Sequence, residues 1–181
     1  AGERVPASDL NDEDVGRYLW FGQEVIPALI NRRGGWLEWY TAETGSVSCS
    51  PDYHVHFGVN RLGLINVYAF DVVRLPQWQQ RIWHSQNVSP DGGVSEELLA
   101  AQMKASPAST KAPEAKLRQA INLLDAKVMA WLGQPLFKPH DVLEDVLRNT
   151  HRFRALDKLG LLSLAKDVAR LTADRIDIGL L

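Results

Sequence analysis

Residues 53–59 read YHVHFGV, residues 60–63 read NRLG, and residues 64–73 read LINVYAFDVV. The first segment alternates polar and apolar side chains, and this period of two is typical of a half-buried β-strand. The loop ends on a glycine, as hairpin turns often do, and the last segment is apolar enough for a central strand. The three segments therefore predict an antiparallel hairpin in which Val59 lies opposite Leu64.

Around this hairpin the sequence predicts an α+β fold, with a short antiparallel sheet of about three strands packed with helices and an all-helical C-terminal half. The third strand is assigned to the aromatic-rich residues 36–41, and residues 44–46 are assigned to a turn. Apolar residues recur at helical spacing between residues 11 and 30, which predicts a helix there. Pro27 lies inside that run and is expected to kink or restart the helix.

The Pro-, Ser- and Thr-rich residues 106–112 predict an exposed linker. It separates an α+β region, residues 1–105, from a helical region, residues 113–181, and the two regions are expected to pack as one compact unit. The chain ends on Leu180 and Leu181. We expect this apolar end to be docked in a homodimer or on a protein partner.

Composition narrows the class of protein. The chain has 181 residues and a formal net charge of −2, so no overall field favours a polyanion such as nucleic acid. Its one cysteine, Cys49, excludes an internal disulfide and is typical of a reducing compartment. No apolar run approaches the ~20 residues that span a bilayer. These features predict a cytoplasmic protein without a membrane partner.

A polar constellation on the hairpin is the candidate metal or catalytic site. Side chains two residues apart share one face of a strand, so Asp52, His54 and His56 are expected to point the same way. The predicted register adds Asp71 to that face, opposite Asp52. Two imidazoles about 7 Å apart at Cβ can share one Zn²⁺ or Fe²⁺. Such a site can activate water, and the same groups can also do metal-free acid–base chemistry.

The segment from Asp52 to His56 resembles the Asp-X-His-X-His stretch on the first barrel strand of amidohydrolases. The resemblance is limited to this motif, because that barrel needs far more than 181 residues and its later Lys, His and Asp signatures are absent. The competing interpretation is a solvated strand face whose histidines stack on Trp36 or Trp39. A thiol nucleophile at Cys49, paired with either histidine, is a further alternative.

The helix that follows Pro76 is a second candidate surface. Arg81 lies on its polar side and Trp83 near the edge, and a guanidinium and an indole together can bind nucleic acid or a peptide. In the alternative interpretation this is an ordinary surface helix. Trp78 and Ile82 are expected to anchor it to the sheet.

The densest positive cluster is a third candidate surface. Arg148, Arg152 and Arg154 can bind phosphate groups or the carboxylates of a partner. The alternative is a set of cations that decorate a helix C-terminus, where the helix dipole favours them.

Taken together, these patterns predict a non-enzymatic binding or regulatory domain of a larger intracellular assembly, with a protein partner or a second copy and no cofactor. The alternative is a small metal-dependent hydrolase or nuclease, in which His54, His56 and Asp71 bind a divalent metal and Asp52 assists. Nucleic-acid binding through the arginine cluster is a third hypothesis, which the net charge makes less favourable.

Overall fold

The computed structural model describes residues 17–139 and 143–180. The chain divides into two compact units, and the boundary falls between Ala112 and Pro113. The first unit carries the sheet, and the second is built from helices.

The sheet of the first unit has six antiparallel strands in the order β2-β3-β4-β5-β1-β6. The strands are β1 (Tyr18–Phe21), β2 (Trp36–Trp39), β3 (Thr44–Ser50), β4 (Tyr53–Val59), β5 (Ile65–Tyr68) and β6 (Asn87–Val88). The helices are α1 (Val25–Ile30), α2 (Ala69–Val73), α3 (Gln77–Ser85) and α4 (Glu96–Lys104). The mixed class is confirmed, but the prediction of about three strands is wrong.

Strand β1 lies where the sequence predicts a helix over residues 11–30. It pairs with β5 on one side and β6 on the other, so tertiary pairing overrides the helical spacing. Helix α1 begins only at Val25, which places Pro27 in the first turn, where the missing N–H costs no helix hydrogen bond. Residues 11–16 of the predicted helix lie outside the described residues.

Strand β3 lies where the sequence predicts a turn at residues 44–46. Its sequence, TGSVSCS, has small side chains, and six of its seven residues are buried. A Cβ at Gly45 would collide with the carbonyl oxygen of Glu38 and the ring of Phe57, so only glycine fits between these neighbours. Small residues have low strand propensity, and this explains why the pattern does not indicate a strand.

The hairpin of β4 and β5 is confirmed, but its register differs by one residue from the prediction. Val59 lies opposite Ile65 instead of Leu64. Asn60 stabilises this arrangement, because its N–H donates to the carbonyl of Leu64 (3.0 Å). Its Oδ1 accepts from the N–H groups of Leu62 (3.0 Å) and Leu64 (2.9 Å).

The second segment of the hairpin is a strand over only part of its predicted length. β5 ends at Tyr68, and residues 69–73 form helix α2. The N–H of Ala69 donates to the carbonyl of Arg17 (2.9 Å) at the point where the backbone turns into the helix. Asp71 therefore lies in the first turn of a helix and not on the sheet.

Alternation along β4 gives the sheet two faces. Val55 and Phe57 point to the core face, where they are fully buried. Ser95 and Leu98, at the start of α4, lie against Gly58 on the opposite face. We call that face the open face. His54 and His56 of β4 lie on it beyond the residues that α4 covers, and both are exposed.

Helix α3 has a different buried side from the predicted one. Trp83 is only 1% exposed, and its ring packs edge-on against Phe21 with centroids 4.9 Å apart. Trp78, the predicted anchor, is 47% exposed. Trp83, which the sequence places at the edge of a candidate binding surface, is therefore buried, whereas Arg81 of the same helix is exposed.

Hydrogen bonds hold the predicted linker in place near its C-terminal end. Most of residues 106–111 are exposed, but Thr110 Oγ1 accepts from the N–H of Ala42 (2.9 Å) and donates to Glu97 (2.7 Å). Ala112 is buried. The free part of this segment is therefore shorter than the composition predicts.

The second unit contains α5 (Pro113–Leu132), α6 (Leu143–Asn149) and α7 (Lys158–Leu171), with short 3₁₀ turns at Arg152–Arg154, Ala173–Arg175 and Ile178–Leu180. The expectation of an all-helical half is correct only in part, because Phe137 and Ile176 form an isolated antiparallel bridge. The buried hydrophobic cluster of the second unit consists of Ile121, Phe137, Val146 and Leu171. None of the described helices is long and apolar enough to cross a membrane. Leu181 lies outside the described residues.

Candidate functional site

Four rings form a continuous surface on the open face of the sheet. The centroids of Trp36 and His54 are 6.0 Å apart, those of His54 and His56 are 5.4 Å apart, and those of His56 and Tyr40 are 5.8 Å apart. We call these four residues the aromatic patch. Of the two stacking partners considered for the histidines, the structure places Trp36 beside them.

Strand register explains how the aromatic patch is assembled. Trp36 lies opposite Ser48, and Glu38 lies opposite Ser46, which in turn lies opposite His56. Side chains at opposite positions share one face of the sheet. Because β3 presents the small side chains of Ser48 and Ser46 at these positions, the rings of the outer strands reach each other above it. Both serines are buried as a result.

Two exposed carboxylates lie on or next to the strands that carry the aromatic patch. Glu38 belongs to the open face by register, and Asp52 is exposed just before β4 begins. Within the described part of the chain, neither carboxylate has an ion-pair partner. In that same part, no cation stacks on Trp36 or Tyr40.

The predicted metal ligands are not brought together. Asp71 lies on α2, whereas His54 and His56 lie on β4. Among residues 17–139 and 143–180, no group of three or more His, Cys, Asp or Glu side chains is placed to hold a metal ion. Protein zinc sites use three or four protein ligands, so the two histidines are an incomplete set.

Cys49 does not have the environment of a nucleophile. It is buried, and burial is the main cause that raises the pKa of its thiol, against a smaller opposing effect of the Arg32 charge. Reactive cysteines have a lowered pKa and some exposure. The geometry therefore gives no support to a thiol paired with His54 or His56.

Two arginines of the positive cluster bind carboxylates within the second unit. Arg152 donates from Nε (3.0 Å) and Nη2 (2.9 Å) to the two oxygens of Glu114. Arg154 donates from Nη1 to Asp167 (2.6 Å) and from Nη2 to Ser163 (2.6 Å). Burial alone would raise the pKa of Glu114, but Arg152 holds it below its ordinary value. These bonds occupy donors that a phosphate would need, although Arg148 is exposed.

A buried histidine lies beside this cluster. His151 is 3% exposed, and its Nδ1 has no hydrogen-bond partner in the part of the chain that the structure describes. The pKa of His151 is lowered to about 4, mainly by burial and also by the charge of Arg154, while the charge of Glu114 opposes both effects. The imidazole is therefore neutral near pH 7. It lies next to Phe153, with ring centroids 6.1 Å apart.

The second half of α5 is an exposed apolar segment. Helical spacing in the sequence places Leu124, Val128, Trp131 and Leu132 on one stripe with Ile121. We call residues 123–132, with the sequence LLDAKVMAWL, the α5 end. Its large apolar side chains are exposed on several sides of the helix: Leu123 56%, Leu124 46%, Met129 49%, Trp131 82% and Leu132 42%. Asp125 and Lys127 are its only charged residues. A helix segment with so few polar residues could have indicated this surface from the sequence alone.

No protein-family model matches the chain, and no curated protein or solved structure is similar to it. The aromatic patch lies in the first unit and the α5 end in the second. The chemistry of these two surfaces is therefore the guide to function.

Proposed function

We propose that the chain is a non-enzymatic binding domain of a larger intracellular assembly, and that it binds another polypeptide through the α5 end. The observation that carries the proposal is the exposure of large apolar side chains on several sides of this helical segment. A helix that is apolar on all sides is normally enclosed by other chain. Ten residues of helix are only ~15 Å long, about half of the ~30 Å hydrocarbon core of a bilayer. The length of the α5 end therefore fits a protein partner better than a lipid bilayer.

The composition of the α5 end fits a protein interface. Single exposed apolar residues are ordinary, but a contiguous group marks an interaction surface. Trp131 is the most exposed large apolar side chain of the described residues. Tryptophan is enriched among residues that dominate binding energy, and truncating such a residue typically costs about 2 kcal/mol or more.

The alternative, a small metal-dependent hydrolase or nuclease, has less support. Its site needs a third ligand beside His54 and His56, and the predicted one, Asp71, lies on α2. Nucleic-acid binding through the arginine cluster also has less support, because Arg152 and Arg154 already bind Glu114 and Asp167.

Sedimentation velocity of the full chain over a wide concentration range tests the proposal. A second copy is the partner tested first, because most soluble assemblies are homo-oligomers. We expect the wild type to associate and the Trp131→Glu variant to stay monomeric with an unchanged circular dichroism spectrum. Trp78→Glu is the matched control, since Trp78 is an exposed tryptophan of the first unit, and it should behave as the wild type.

The contrary result is a wild type that remains monomeric at every concentration, together with a Trp131→Glu variant of unchanged solubility. In that case the α5 end would need no cover, and the proposal would be wrong.

A further inference from the structure

The open edge of the sheet lies next to the aromatic patch. Among the described residues, β2 is the outermost strand and pairs only with β3. The N–H of Tyr40 donates inward to the carbonyl of Thr44 (2.9 Å). Backbone groups alternate in direction along an antiparallel strand, so Leu37, three residues earlier, directs its N–H and C=O to the free edge. An extended polypeptide can pair with such an edge.

A segment added beside β2 would place every second side chain on the open face. There it would lie next to Trp36 and Glu38, which share that face. The patch offers flat aromatic surface, since Tyr40 and both histidines are exposed and Trp36 is half-buried. Glu38 and Asp52 supply negative charge without a partner in the described residues. The chemistry of this surface therefore selects a side chain that is planar and positively charged.

Arginine meets both requirements. Its guanidinium stacks on aromatic faces and donates to a carboxylate in the same plane, whereas lysine is a compact charge that stacks less well. Arg32 and Arg33 precede β2, but neither stacks on these rings nor pairs with these carboxylates in the described contacts. A phosphate backbone is disfavoured, because both carboxylates would repel it.

We propose that the free edge of β2 binds an extended segment of a partner polypeptide, and that an arginine of this segment stacks on the aromatic patch beside Glu38. Main-chain hydrogen bonds at Leu37 supply the strand pairing, and the arginine supplies selectivity. This site lies in a different unit from the α5 end, so it goes beyond the proposed function and can fail separately.

The proposal is tested with the full chain, labelled with ¹⁵N, and a capped peptide of the sequence threonine-valine-arginine-valine-threonine. We expect shifts at the amide of Leu37 and the indole of Trp36. A peptide with glutamine in place of arginine should bind roughly tenfold more weakly or worse, because a charge-assisted hydrogen bond is lost. Proline in place of both valines should remove binding, because it removes strand donors.

Variants locate the site. Glu38→Gln should weaken the arginine peptide by a similar factor, whereas Glu24→Gln, which changes an exposed carboxylate away from the patch, should have no effect. Trp131→Glu should also leave this binding unchanged, which separates it from the proposed function. Equal binding of the arginine and glutamine peptides would overturn the proposal. So would a single-stranded oligothymidylate that competes at Trp36 and binds Glu38→Gln as well as the wild type or better.

Discussion

Protonation of one buried imidazole should make the helical unit sensitive to mild acid. His151 is 3% exposed, with an unpartnered Nδ1. Burial and the Arg154 charge lower its pKa from 6.5 to about 4, against the opposing charge of Glu114. The folded chain therefore holds this imidazole neutral at a pH where the unfolded chain protonates it.

The sign and size of the effect follow from linkage between protonation and folding. Below pH 6.5 the unfolded state binds a proton that the folded state excludes, so the free energy of unfolding falls as the pH falls. The gap between the two pKa values corresponds to about 3 kcal/mol when it is complete. Between about pH 7.5 and about pH 5, the expected loss from this residue is about 2 kcal/mol.

The lower pH limit of about 5 separates the stability change caused by His151 from the one caused by Glu114. The pKa of Glu114 is held below its ordinary value of 4.5, so its contribution to stability is present above that pH and is lost only below it. Stopping at about pH 5 therefore leaves the Glu114–Arg152 pair ionised. All other ionisable groups are the same in the wild type and in a variant of His151, so the difference between the two proteins isolates this residue.

Urea unfolding of the full chain, followed by far-UV circular dichroism at both pH values, measures the loss. His151→Leu removes the titrating group and the unpartnered nitrogen while keeping the site filled. We expect the variant to be at least as stable as the wild type at the higher pH. On acidification, its free energy of unfolding should also fall by about 2 kcal/mol less than that of the wild type. An identical loss in both proteins would refute the reasoning.

Three further predictions follow from burial and exposure. Trp83→Ala should lower the free energy of unfolding by about 3 to 5 kcal/mol, read from urea unfolding, because it empties a buried aromatic site. Limited trypsin digestion, read by mass spectrometry, should cut first at Lys104 or Lys111, which flank the exposed stretch; a first cut inside α5 would contradict this. Metal analysis of the purified protein should find no stoichiometric zinc, manganese or iron, and the His54→Ala, His56→Ala double variant should fold normally. About one bound metal per chain, lost in that variant, would favour the hydrolase alternative.

Patterns that lie within one segment predicted the structure well. The alternation of β4 is local, so it correctly placed Val55 and Phe57 in the core and both histidines on the exposed face. The hairpin was also predictable, because its loop and strands are adjacent in sequence. Its register was not, since it depends on the side-chain hydrogen bonds of Asn60, and a change of one residue moves every partner on β5.

Two features of the helices were less predictable: which side of a helix is buried, and how far its apolar stripe is covered by other parts of the chain. Trp78 and Trp83 both suit a buried position, and only the packing of Trp83 on Phe21 decides between them. For α5, the stripe that contains Ile121 continues to Leu132, but periodicity does not say where the neighbouring chain ends. The same pattern therefore describes a core at one end of the helix and an exposed surface at the other.

The aromatic patch could not be predicted because it depends on a strand whose residues do not resemble one. With residues 44–46 assigned to a turn, nothing links the register of β2 to that of β4, and Trp36 cannot be placed on either face. Once β3 separates them, Ser48 and Ser46 relate Trp36 and Glu38 to the histidine face. The small size of the serines then lets the rings meet. The feature that concealed β3 from a propensity argument is therefore the feature that assembles the candidate site.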